Sequence, residues 1–164
     1  MVLCQHLSWY SGSHWFHTYH ADKTLGGVSA FIRNCYTLPH MANFSVCHAY
    51  YEISVVKVSL SNNCTVIIID VYRPPDKSKI PEFTIKLNEI LSSILQSDLV
   101  FIVGDLNIDL IDPIAIEKHF INNCHSNSLI PLINKPTRML ITIQVFQITY
   151  GLISCTTHSM VYFY

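Results

Sequence analysis

The sequence predicts an α/β fold of the α+β kind, and three stretches carry the prediction. The first is Leu99-Val100-Phe101-Ile102-Val103, an unbroken apolar run closed by Gly104. A short run of β-branched and aromatic residues ending at glycine reads as a strand buried on both faces. The second is the pair of strand-like runs 51–60 and 65–72, separated by Ser61, Asn62, Asn63 and Cys64. Two such runs joined by turn formers predict a hairpin, the first strand half-buried by its alternation and the second more deeply buried. The third is the set Phe83, Leu87, Ile90, Leu91, Ile94 and Leu95, at helical spacing behind Pro81. Proline is pre-organised for a helix start, so a helix is expected to cross from the hairpin to the central strand 98–104.

The remaining elements follow in order. Residues 1–20 are rich in aromatic and histidine side chains, among them His6, Trp9, Tyr10, Trp15 and Tyr19. His14, His17 and His20 recur at every third position, but no cysteine or carboxylate completes a metal-ligand set at familiar spacing. A half-buried, hydrogen-bonded aromatic loop is the expectation here. Gly26-Gly27 breaks the chain, and residues 28–33 read as a strand. Arg73-Pro74-Pro75-Asp76 closes the hairpin, because proline cannot donate to a ladder. A second helix is expected over 114–123, with Asp112-Pro113 at its start. Pro131 and Lys135-Pro136-Thr137-Arg138 mark a loop, and the apolar stretch 139–150 is expected to pair as a strand.

Composition narrows the function classes. The chain has 164 residues, a formal net charge of −1 and a pI near 6.7, so no global basic field advertises a nucleic-acid partner. Any phosphate recognition must come from a local site. Charged residues are 13% of the chain against 50% hydrophobic, with a mean hydropathy of +0.32. That balance predicts exposed apolar surface, self-association through it, and a chain that is a piece of something larger. Cys4, Cys35, Cys47, Cys64, Cys124 and Cys155 form no Cys-x-x-Cys pair and read as free thiols of a reducing compartment. With no basic start before an apolar run and no stretch near ~20 apolar residues, neither a signal peptide nor a membrane span is expected. An intracellular location, nuclear or cytoplasmic, is the expectation.

Chemistry concentrates just after the central strand. Asp105 and Asn107 follow Gly104 two residues apart. If the extended conformation persists, both side chains project from one face at the carboxyl end of the strand, where α/β sites tend to lie. A carboxylate beside an amide suits phosphate-ester chemistry. The acid can hold a metal or orient a water, and the amide can donate to a phosphoryl oxygen. The plain alternative is a turn, since Gly, Asp and Asn are all ordinary turn formers.

Three pieces in this order, Gly26-Gly27-Val28-Ser29-Ala30-Phe31-Ile32-Arg33, Val71-Tyr72-Arg73-Pro74-Pro75 and Gly104-Asp105-Leu106-Asn107, precede Lys135-Pro136-Thr137-Arg138. Together they resemble the endonuclease/exonuclease/phosphatase domain of non-LTR (LINE-type) retrotransposon polyproteins, itself similar to apurinic endonucleases and deoxyribonuclease I. The resemblance runs over residues 17–138 of a single partial domain spanning 1–164. It implies two packed β-sheets flanked by helices, an incomplete deoxyribonuclease I-like sandwich. It also implies a Mg²⁺-dependent phosphodiesterase acting on a DNA backbone. By this resemblance Asp105 orients or deprotonates the attacking water and holds the metal, and Asn107 holds the scissile phosphate. Tyr72 donates its hydroxyl to a phosphoryl oxygen, and Arg73 and Arg138 contact backbone phosphates. Asp70, on the same strand face as Tyr72, carries no family role and is expected to be a buried, hydrogen-bonded carboxyl.

The departures from the family pattern are as informative. The family places a metal-binding glutamate just before the region matching His17-Thr18-Tyr19-His20, and no acid stands near Cys4-Gln5-His6. Beyond Arg138, residues 139–164 contain no Asp or Glu. Thr156-Thr157-His158 stands where the family has Ser-Asp-His, so His158 is kept and its aspartate is replaced by threonine. Mg²⁺ prefers octahedral oxygen ligands, and Asp105 alone would bind it weakly or not at all. The expectation is therefore a DNA endonuclease domain that is inactive as it stands. The alternative is a catalytically dead remnant acting as a weak binding or self-associating module.

Overall fold

A computed structural model of the protein describes residues 2–7, 13–20, 28–33, 41–59, 65–94, 99–132 and 146–148. Three antiparallel strands, β1 (Val2–Leu7), β2 (Ser13–His20) and β3 (Val28–Arg33), form one sheet in the order β1-β2-β3. Within the aromatic segment, residues 2–7 and 13–20 are thus strand and not loop, a correction that the Trp, Phe, Tyr and Thr content of 13–20 explains, since these residues favour a pleated surface.

The second sheet holds six strands: β4 (Val46–His48), β5 (Tyr51–Ser59), β6 (Thr65–Tyr72), β7 (Leu99–Asp105), β8 (Leu129–Pro131) and β9 (Phe146–Ile148). Their order is β4-β5-β6-β7-β9-β8. All neighbours are antiparallel except β6 and β7. A parallel pair needs a crossover, and α1 (Ile80–Ser93) supplies it. Pro81 sits in the first turn of α1, and α2 (Ala115–Ser126) follows β7.

Strand periodicity divides the large sheet between two partners. Ile53, Val55, Ile67, Ile69, Val71, Val100 and Ile102 belong to one core with Phe83, Leu87, Ile90 and Leu91 of α1 and Phe120 and Cys124 of α2. Positions 83, 87, 90 and 91 recur at the helical repeat, so α1 turns one stripe to the sheet. Phe83 stacks on Phe120 with ring centroids 5.9 Å apart, tying the two helices. The other face of the large sheet is covered by the small one, as β2 and β3 lie against β4, β5 and β6. The result is the expected two packed sheets, with both described helices on the outer face of the larger one.

Covering both faces corrects the half-buried reading of β5. Glu52 and Ser54, on the face opposite Ile53 and Val55, are as buried as the apolar residues.

Candidate functional site

The carboxyl ends of β6 and β7 come together through the parallel register, which pairs Val71 with Gly104 and Tyr72 with Asp105. On its other side Tyr72 pairs with Glu52 of β5. Glu52, Tyr72 and Asp105 therefore form one row across three neighbouring strands. Tyr72 and Asp105 are half-buried, while Glu52 is buried. Two residues back along β6, Asp70 is buried and pairs with Ser54. The polar row shares the face that looks toward the small sheet.

Gly104 is what lets β7 end here. Its φ of +120° is closed to ordinary L side chains, and a Cβ on it would overlap the backbone of Val71. The close approach draws the ends of β6 and β7 together, and the Arg73 N–H donates to the Asp105 carbonyl at 2.9 Å.

Beyond Asp105 the extended conformation does not persist. Asn107 takes a left-handed φ of +49°, a region that asparagine tolerates better than most residues. The chain is thus a turn after the strand, and the extended-face argument for Asp105 and Asn107 is corrected. The two still meet, because the Asn107 N–H donates to Asp105 Oδ1 at 3.3 Å. The Asn107 side-chain amide donates to the Arg73 carbonyl at 2.7 Å. An amide nitrogen has two N–H groups, so this bond leaves the second one for another acceptor.

Arg73 is placed differently from expectation. It is fully buried, with no exposed surface from which to meet a phosphate. Its Nε donates to the Leu106 carbonyl at 2.8 Å, Nη1 to that of Asp76 at 2.7 Å and Nη2 to that of Asn107 at 2.7 Å. Burial lowers the guanidinium's pKa from its ordinary value, against the pull of Asp76, Asp105 and Glu117, which favour the cation. The group is charged but turned inward. That corrects its assignment as a phosphate contact, and only the expected arginine type at this position was legible from sequence. Arg138 and His158 lie outside the described residues.

A second buried charge braces the loop that follows. Glu117 of α2 accepts the Ile114 N–H at 2.9 Å and the Asp109 N–H at 3.3 Å, and Lys77 Nζ lies 2.9 Å from its Oε1. Burial alone would raise this carboxyl, but those hydrogen bonds and the lysine outweigh it and hold it below its ordinary range. The loops after β6 and β7 are thereby joined, since Lys77 belongs to one and Glu117 closes the other.

The resemblance implies Mg²⁺ at Asp105, bound weakly or not at all. Asp105 already accepts the Asn107 N–H, and among the described residues no group of three or more His, Cys, Asp or Glu converges on a point that could hold a metal. No step below runs through a metal. Among the described residues, no helix is long and apolar enough to cross a membrane.

Glu52 is the residue that sequence reasoning passed over. Its signal was present in the alternation of β5, which sets it two residues from Ser54 and opposite Ile53, but alternation alone assigns such a face to solvent.

Fold and site together define a two-sheet α/β sandwich with polar residues gathered at one end of the larger sheet. Among solved structures the chain is similar to the endonuclease domain of TRAS1, a telomere-specific non-LTR retrotransposon. The TM-score is 0.65 at 14% identity, over 84% of this chain and 67% of that one, a likeness of fold. No protein-family model matches the sequence, and no curated protein matches it.

Proposed function

We propose that the Tyr72, Asp105 and Asn107 end of the large sheet is a phosphodiester-binding site of the nuclease type, that DNA is its ligand, and that the chain as it stands does not hydrolyse it. The observation that carries this reading is the pairing of Tyr72 with Asp105 at the mouth of a sandwich whose fold resembles a retrotransposon endonuclease domain. A phosphodiester offers two non-bridging oxygens as acceptors. The Tyr72 hydroxyl and the second Asn107 amide N–H are donors of the right kind for them. Asp105 would take the proton of a water attacking phosphorus as the bond to the leaving ribose oxygen breaks.

Hydrolysis needs more than this. The leaving oxygen needs a proton and the phosphorane-like charge needs a counter-charge. Of the chain's 11 acids none precedes Asp22 and none follows Glu117, so His158 has no carboxylate beside it in sequence. Loss of several members of a catalytic set leaves little rate. The setting that suits the reading is intracellular, with a divalent metal joining only if ligands beyond Asp105 supply it.

The test combines duplex DNA binding by fluorescence anisotropy with nicking of supercoiled plasmid in Mg²⁺. Expected is salt-sensitive binding that weakens in Tyr72→Phe and in Asn107→Gly, which keeps the left-handed backbone, with nicking no greater than in Asp105→Ala. Equal binding by all three proteins would remove the site. Nicking by the parent chain that disappears in Asp105→Ala would overturn the inactivity.

A second reading, a self-associating remnant, is favoured by the exposed Ile85, Ile111 and Ile114. Light scattering decides it, a monodisperse monomer at high concentration being the outcome against it.

A further inference from the structure

Arg73 takes a positive charge out of solvent and spends it on backbone. Three successive residues give their carbonyls to this one residue: Asp105 to its main-chain N–H, Leu106 to Nε and Asn107 to Nη2. The Asn107 amide returns a bond to the Arg73 carbonyl. The third arm, Nη1, reaches the Asp76 carbonyl and ties the turn before α1 to the same point. A left-handed non-glycine residue persists only where its surroundings over-determine it, and Asn107 sits inside this clasp.

We propose that Arg73 is a positioning residue: by holding the carbonyls of Leu106 and Asn107 in its planar fork, beside the bond from its main-chain N–H to the Asp105 carbonyl, it fixes the left-handed turn at Asn107, and with it the aim of the Asp105 carboxylate and the Asn107 amide. The inference rests on the reading of this end of the sheet as a phosphodiester site, and goes beyond it by assigning the residue that sets the site's geometry. The three bonds diverge from one rigid plane, which a guanidinium matches and an ammonium does not. Lysine preserves the charge, but its three N–H bonds radiate from one nitrogen and do not span carbonyls that the guanidinium meets from three separate nitrogens. Methionine preserves the apolar stem alone. A role in folding alone would be served by any replacement that keeps the core packed.

The experiment uses the full chain, with Arg73→Lys and Arg73→Met. Two-dimensional ¹⁵N–¹H NMR follows the backbone and side-chain amide signals of Asn107, with core methyl signals of Ile53 and Ile102 as the check on folding. In the folded variants the Asn107 signals should shift or broaden while the core signals stay. Affinity for duplex DNA should fall on the order of tenfold in Arg73→Lys, the scale of a misplaced contact. Asn107 signals unchanged in either folded variant would overturn the proposal.

The parent chain gives an arm that needs no variant. The Arg73 Nε–H should exchange with water far more slowly than that of a solvated arginine, and exchange at the solvated rate would overturn the clasp. The two readings fail separately. A parent chain that binds no DNA removes the phosphodiester site while the NMR and exchange results still decide the clasp. Equal DNA binding by parent and Arg73→Lys removes the positioning role alone.

Discussion

Gly104 and Val71 face each other across the parallel seam so closely that no side chain fits at position 104. The constraint is double, because the φ of +120° also excludes L residues. Gly104→Ala is expected to destabilise the protein by roughly 3–4 kcal/mol, combining backbone strain with forced separation of two strands. Urea unfolding followed by circular dichroism measures it, and a midpoint within error of the parent's would show that the seam is looser than described.

Glu117 should set part of the acid limit of stability. Its folded-state pKa lies below its ordinary value of 4.5, so its contribution is complete above that value and is lost as pH falls through the folded-state pKa. Glu117→Ala leaves the N–H groups of Asp109 and Ile114 without their acceptor. It is expected to cost about 2–4 kcal/mol at neutral pH, with a difference from the parent that narrows in acid. Lys77→Ala should cost no more than about 1 kcal/mol, since the lysine is half-exposed. Thermal unfolding across pH 2–7 checks both (about the range over which carboxylates titrate), and a difference that widens in acid would reverse the sign.

Cys124 is buried against the large sheet, and burial pushes its thiol up to about 12. The thiolate is the reactive form, so iodoacetamide should leave this cysteine unmodified in the folded chain and label it on unfolding in urea. Peptide mapping by mass spectrometry reads the result. Prompt labelling of Cys124 under native conditions would mean that the interface between α2 and the sheet opens readily.

Phe83 is wholly buried between Tyr51 and Phe120, with ring centroids at 5.8 and 5.9 Å. Phe83→Ala is expected to lose about 3–5 kcal/mol, whereas Ile85→Ala, on the exposed side of the same helix, should lose less than ~1 kcal/mol. Comparable losses at the two positions, measured by chemical denaturation, would mean that the stripe of α1 is assigned to the wrong face.

What could be read from sequence follows from how each feature is encoded. The strand 65–72, the strand near 99–105 and the helices near 81–95 and 114–123 are written in period and punctuation, and the structure has them within a few residues. Val46–His48 and Leu129–Pro131 are three residues each, too short for any period to register. The burial of Glu52 and Ser54 is invisible locally, because it depends on a second sheet whose covering strands are residues 13–20 and 28–33. Asp105 and Asn107 stood out as a pair, but the turn that joins them depends on Arg73, thirty-four positions before Asn107. An arginine next to two prolines looks like a surface residue until the carbonyls it must satisfy are in place.

The parallel seam between β6 and β7 also bears on how the chain reaches its native state. Tyr72 meets Asp105 only when the intervening 32 residues have closed a loop, and α1 shortens that loop as it forms. The seam is therefore expected to form with α1 in the rate-limiting step, while the β5–β6 hairpin can form on local contacts. Leu87→Ala, in the middle of α1, should slow refolding as well as speed unfolding in a denaturant-jump experiment. A change confined to the unfolding limb would place the closing of that loop after the barrier.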